Sequence, residues 1–127
     1  MSESVYPSSA PKWSAQRRAL APKSEQAFQA FSREVFADGA LPTKTKQLIA
    51  VAVAHVTQCP YCIRGHTRAA LQHGARAEEI IEAIWVAAEM RAGGAVAHSI
   101  VALSAMEKAG SGCASATQVD GASARAR

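Results

Sequence analysis

The sequence predicts an all-α fold, a bundle of about five to six helices, on three observations. Apolar residues fill 49% of the 127 positions and aromatics only 6%. With alanine abundant, that mix favours close-packed helices over a β-sandwich, which draws on Val, Ile, Thr and Tyr. Apolar positions recur at intervals of three and four residues through the middle of the chain, the spacing of one helix face. Residues suited to starting a helix (Ser24, Thr43, Cys59) and to ending one (Gly39, Gly74, Gly110) punctuate those periodic segments.

Taken in order, residues 1 to about 21 read as a loose entry with one short helix after Pro11, where Trp13 and Leu20 can pack on the main body. From Ser24 as N-cap, Phe28, Phe31, Val35 and Phe36 fall at i, i+3, i+7 and i+8, one amphipathic face, and Gly39 ends the segment. Thr43 can cap the next helix, whose stretch Leu48 to Ala54 is apolar on every side and therefore central. Cys59 stands at an N-cap, Pro60 suits the first helical position and Gly74 can supply a left-handed C′ residue, so a helix runs from about 60 to 73. Glu78 and Glu79 complement the positive end of a following helix, with Ile80, Ile81, Ile84, Ala87 and Ala88 as its inward stripe up to Arg91. Gly93 and Gly94 are expected to break it. A last helix from about Ala95 carries Val96, Ile100, Val101, Leu103 and Met106 and stops near Gly110. Residues 1–110 thus form one helical domain, and 111–127, small, polar and Gly/Ser-rich, read as a disordered tail that cannot bury enough apolar surface to offset its ordering entropy.

The formal charge of +4 comes from basic residues scattered from Lys12 to Arg127, without the basic stripe and interleaved aromatics of a nucleic-acid surface. No nucleic-acid partner is expected. The opening MSESVYPSSAPKW lacks a basic region followed by an apolar one, and the longest apolar run, Leu48 to Ala54, is too short to span a bilayer. A cytoplasmic protein without a membrane partner is expected. Its three cysteines would then be kept reduced, so Cys59 and Cys62 call for an explanation as metal ligands or redox groups.

The segment Cys59-Pro60-Tyr61-Cys62-Ile63-Arg64-Gly65-His66 carries most of the chemistry. At roughly 100° per residue, Cys62 lies about 60° and His66 about 20° from Cys59, so all three share one helix face. A helix N-terminus offers partial positive charge and free amide hydrogens, and an imidazole nearby can take the thiol proton. Two cysteines at this spacing can close a disulfide after one is oxidised to sulfenic acid, which suits peroxide reduction or disulfide exchange. The competing reading is a zinc site of Cys59, Cys62, His66 and His55, although structural zinc usually draws its ligands from two separate knuckles.

The stretch KTKQLIAVAVAHVTQCPYCIRGHTRAALQHGA, continued by EEIIEAIWVAAEMRAGGAVAHS, resembles the core of the alkylhydroperoxidase D-like branch of the carboxymuconolactone decarboxylase family, over about residues 24 to 108. The motif of that branch is Glu, eleven residues, then C-x-x-C-x-x-x-H. The resemblance implies an all-helical homo-oligomer, a trimer or hexamer, without a cofactor. It also implies peroxidase or disulfide reductase activity on a hydroperoxide or small disulfide, regenerated by a thiol reductant protein or a dithiol. It gives Cys62 the peroxidatic position, Cys59 the resolving one and His66 the proton relay. Proximity to the helix terminus, taken alone, favours Cys59 as the lower-pKa thiol. At the motif's glutamate position, twelve before Cys59, stands Gln47. An amide can orient His66 but cannot accept its proton. His55 is the substitute base to consider, and His98 a more remote one. Glu78, Glu82 and Glu89 beside Trp85 read as a subunit-facing stripe, Tyr61, Arg64 and Arg68 as the mouth of a pocket, and Cys113 as a passive thiol in the tail.

Overall fold

In a computed structural model, residues 5–117 are described. They form five helices: α1 (Ala10–Leu20), α2 (Pro22–Phe36), α3 (Thr43–Thr57), α4 (Pro60–Gln72) and α5 (Ala77–Thr117). The all-α expectation holds. α3 is the central element, packed along both α4 and α5, while α2 lies lightly across α3 and α1 against α2.

Local chemistry sets most of the boundaries. α2 begins at Pro22, two residues before the expected cap at Ser24, because Ala21 breaks the chain direction and proline fits the first turn. Arg17 then reaches over that corner to Glu25, Nη2 to Oε1 at 3.0 Å, tying α1 to α2. α2 ends at Phe36, before Gly39, where Ala37 turns extended (φ −65°, ψ 153°). Lys46 Nζ donates to the Ala37 carbonyl at 2.6 Å. The cap of α3 comes from Asp38 and not from Thr43, which is already helical: the Asp38 carboxylate accepts from the Thr43 N–H at 2.7 Å and lies 3.0 Å from its hydroxyl. These two bonds hold the Asp38 carboxyl below its ordinary range.

α4 closes as the sequence suggests. Gly74 is left-handed (φ 87°), and the Ala75 N–H reaches back to the Ala70 carbonyl at 2.9 Å while the Gly74 N–H reaches Leu71 at 3.0 Å. This is a Schellman ending, which satisfies two otherwise orphaned carbonyls. The departure lies in α5. Gly93 and Gly94 do not interrupt it, and the two helices expected there are one helix of 41 residues, about 60 Å long at 1.5 Å per residue. It also runs past Gly110 to Thr117, into the segment expected to be a tail. The remainder of that expected tail, 118–127, lies outside the described residues.

The core gathers where α3, α4 and the first half of α5 meet: Val51 and Ala70 are fully buried, with Ala75 and Ile80 beside them and Leu48 and Ile84 packed on the rim. Val51→Ala removes two carbon groups there at roughly 0.8 kcal/mol each, plus a cavity term, so a loss of about 2 kcal/mol is expected. Urea titration at fixed protein concentration checks it; a loss within experimental error would mean that the three helices do not share one core.

Much of the expected apolar surface faces outward. In α2 Phe28 and Phe31 are each 63% exposed, and only Phe36 of that stripe is half-buried. Ile81 and Trp85 in α5, and every one of Val96, Ile100, Val101, Leu103 and Met106, are exposed as well. Trp13 and Leu20 of α1 are likewise exposed. The buried apolar set among the described residues is four alanines, one valine and one isoleucine. So small a core cannot by itself hold a 41-residue helix along its whole length.

Candidate redox centre

The thiols sit at the junction of α3 and α4. Gln58 ends α3 in the left-handed conformation (φ 56°, ψ 49°), which costs a residue with a Cβ about 1 kcal/mol. That turn sends the Cys59 N–H back to the Ala54 carbonyl at 3.2 Å, and the Cys59 carbonyl accepts the first bond of α4, from Ile63 N–H at 2.9 Å. Cys59 is the N-cap: its Sγ accepts the Cys62 N–H at 3.2 Å, the place usually taken by a serine or aspartate oxygen. Cys59 and Cys62 are joined as a disulfide, their Cα atoms 5.2 Å apart.

One turn beyond Cys62, His66 is held on two sides. Its Nδ1 lies 2.8 Å from Gln47 Oε1, and Gln47 is the one buried polar side chain among the described residues, 7% exposed. An amide oxygen can only accept, so Nδ1 carries the hydrogen and Nε2 presents its lone pair. The ring of Phe36 stacks on the imidazole, centroids 5.1 Å apart and planes 25° apart. Four elements therefore converge: α2 through Phe36, α3 through Gln47, the α3–α4 corner through Cys59, and α4 through Cys62 and His66.

Two grooves open on this face. The first, about 430 Å³, runs between α2 and α3 and is walled by Val35, Ile49, Ala50 and Val53. The second, about 730 Å³, lies among α1, α2, α3 and α4 and carries polar side chains, Gln29, Ser32, Arg33 and Gln47. Phe36, Cys62 and His66 line both, and Cys59 lines neither. A small molecule in either groove meets Cys62.

The structure thus brings together Cys59, Cys62, His66 and Gln47 of the residues singled out in the sequence. It leaves His55 outside: its Nδ1 faces the Val51 carbonyl at 2.7 Å, one turn back on its own helix, and it lines neither groove. His98 is exposed on α5 and bonds the Gly94 carbonyl. The zinc set of Cys59, Cys62, His66 and His55 is not assembled, since the two sulfurs are bonded to each other and each imidazole is turned to a different partner. Among the described residues no group of three His, Cys, Asp or Glu side chains is placed to hold a metal ion. No described helix is long and apolar enough to cross a membrane.

A model of the carboxymuconolactone decarboxylase family matches residues 22–105. The chain belongs to that family. The matched span takes in α2, α3, α4 and most of α5, hence every residue of the redox centre, and leaves α1 outside. Among relatives of this carboxymuconolactone decarboxylase family chain, the uncharacterised protein 4 in cox locus of Paracoccus denitrificans is 63% identical over 84 residues, 66% of this chain and 76% of that one. An uncharacterised protein of Cupriavidus necator is 37% identical over 82 residues, 65% and 73% of the two chains. Of solved structures, a carboxymuconolactone decarboxylase family protein from Legionella pneumophila superposes with a TM-score of 0.62 at 34% identity, covering 77% of this chain and 88% of that one. A protein from Methanobacterium thermoautotrophicum gives 0.61 at 34% identity, covering 64% and 91%.

Two members of the site were not singled out for it in the sequence. Phe36 stood there as one residue of an apolar stripe, and its contact with His66 spans thirty positions that no local pattern links. Arg33, three positions before Phe36, lines the polar groove; nothing but its place on the same α2 face as Phe36 could have marked it.

Proposed function

We propose that this chain is a thiol-dependent peroxidase of the alkylhydroperoxidase D-like kind, reducing hydroperoxides through a Cys59/Cys62 dithiol–disulfide cycle in the cytoplasm. The observation that carries the proposal is the different placement of the two cysteines: Cys62 lines both grooves together with His66, and Cys59 lines neither but is within disulfide reach of it. That placement favours Cys62 as the attacking thiol, even though Cys59 receives the amide hydrogen at the helix start. In the reduced protein, His66 Nε2 takes the Cys62 thiol proton. The thiolate attacks the terminal peroxide oxygen, the O–O bond breaks, and the departing alkoxide takes the proton back from His66 to leave as an alcohol. Cys62 is now a sulfenic acid. The Cys59 thiolate attacks its sulfur, hydroxide leaves and is protonated to water, and the disulfide forms. A thiol reductant protein or a dithiol returns the pair to thiols.

Cys59→Ser separates these steps. The variant is expected to consume one equivalent of hydroperoxide and stop as a Cys62 sulfenic acid, detected as a dimedone adduct by mass spectrometry. An adduct on Cys59 in Cys62→Ser, with none on Cys62 in Cys59→Ser, would reverse the order of attack.

A second reading, disulfide exchange without strong peroxidase activity, is favoured by Gln47, which orients His66 but supplies no negative charge to hold its imidazolium. Turnover of a small disulfide outpacing that of every hydroperoxide tried would select it.

The proposed working form is a homo-oligomer, a trimer or hexamer. Supporting it, the second half of α5 presents Ile100, Val101, Leu103 and Met106 at 61–69% exposure, large apolar side chains that a monomer would leave in water. Ile100→Asp together with Val101→Asp is expected to shift the mass from light scattering to that of a monomer or dimer and to lower the thermal midpoint. An unchanged mass would place the interface elsewhere.

A further inference from the structure

The two grooves that share Cys62 differ in chemistry. One is walled by aliphatic side chains of α2 and α3, and its only cation, Lys46, is already engaged with the Ala37 carbonyl. The other is cationic. On α2, Gln29, Ser32, Arg33 and Phe36 fall at i, i+3, i+4 and i+7, so one helix face carries a polar row that ends at the ring stacked on His66. No carboxylate is among the residues that line this second groove, and Glu25, which bonds two of them, Arg17 and Gln29, is itself paired with the Arg17 guanidinium. Arg17 at its edge is neutralised by Glu25, with contacts of 3.0 and 3.3 Å. Arg33 takes part in none of the ion pairs among the described residues, and it lines the groove. Cys62, shared by both grooves, thus stands between a mainly aliphatic wall and one that includes Arg33.

We propose that the centre selects an amphiphilic monoanion: a hydroperoxide of a long-chain carboxylic acid, its alkyl body in the groove walled by Ile49 and Val53, its peroxide at Cys62 and its carboxylate on Arg33. The reaction part rests on the peroxidase reading; the ligand class does not. A guanidinium grips a carboxylate through two parallel N–H bonds, and a neutral head of equal size gains no such grip. Arg33 is accordingly a specificity residue, remote from the bonds that break.

Octanoate and octan-1-ol, equal in alkyl length and inert to thiols, test the ligand class by calorimetry on the oxidised protein. The wild type is expected to bind octanoate about tenfold more tightly, the order expected of one partly exposed charge-assisted pair. Arg33→Gln is expected to abolish the preference, Arg33→Lys to keep part of it, and Arg18→Gln, on α1 and outside both grooves, to keep it whole. Equal affinities in the wild type, no binding of octanoate, or a preference intact in Arg33→Gln overturns the proposal. In parallel, kcat/KM is compared for a long-chain acid hydroperoxide and its methyl ester; the acid-to-ester ratio should fall about tenfold in Arg33→Gln. A protein that binds octanoate through Arg33 but reduces neither hydroperoxide would sink the peroxidase reading and leave the ligand class standing. Turnover with a ratio that Arg33→Gln leaves unchanged would do the reverse.

Discussion

Replacing Cys62 with serine is expected to lower the rate of hydroperoxide consumption by about three orders of magnitude or more, the scale on which removing a nucleophile acts. Cys62 lines both grooves and sits one turn from the His66 imidazole, whose free Nε2 can take its proton. A serine hydroxyl keeps the volume and the helix but cannot be oxidised by a peroxide, so the fold should survive while turnover vanishes. Initial rates with dithiothreitol as reductant, alongside circular dichroism to confirm the helices, decide the matter. A rate within tenfold of the wild type would remove Cys62 from the reaction and return the question to Cys59.

The second large effect is a gain. Gln47→Glu is expected to raise kcat/KM for hydroperoxides at neutral pH by about ten- to a hundredfold. General acid–base assistance contributes 10²–10⁴ in favourable cases, and part of it, the orientation of the ring, is already supplied by the amide. What a carboxylate adds is charge. Beside Nδ1–H it stabilises the imidazolium that forms when Cys62 gives up its proton, so a larger fraction of the pair stands as thiolate and imidazolium. The sign can be followed in the pH–rate profile, whose rising limb is expected at lower pH in the variant than in the wild type. Position 47 is buried, so the substitution should also cost stability, about 1–3 kcal/mol, the range found for a buried polar group left without full compensation. An unchanged rate and profile would mean that His66 does not handle the thiol proton.

How much of this was legible in the sequence differs from element to element. Both ends of α4 could be read because Cys59 and Pro60 at its start and Gly74 past its end each fit one position for a local reason, and those reasons survive in the folded chain. The centrality of α3 could be read from a run of apolar residues too wide for one face. The break at Gly93 and Gly94 misled because paired glycines are written the same way in a turn and in a helix. A glycine in a helix costs only about 1 kcal/mol, too little to end one by itself. The cap of α3 was assigned to Thr43 when the acceptor is Asp38, five residues earlier, a contact that depends on how the loop folds back. In the site itself the motif reached Cys59, Cys62, His66 and Gln47. It could not exclude His55, whose orientation is set by a backbone carbonyl on its own helix, nor reveal Phe36 and Arg33, which arrive from α2 across a long sequence gap.

The backbone around Cys59 bears on how the proposed dithiol–disulfide cycle would run. Its N–H is bonded to Ala54 and its carbonyl to Ile63, and neither bond involves a sulfur. In the proposed cycle, opening the disulfide leaves both of these bonds in place and puts at risk only the cap bond from the Cys62 N–H to the Cys59 Sγ, so the helices need not rearrange between turnovers. An outside dithiol partner would meet nearly the same surface whether the pair is full or spent. It could tell the two apart only by whether its own sulfur finds an electrophile, so the spent form gains no docking advantage and the charged form competes for the same partner.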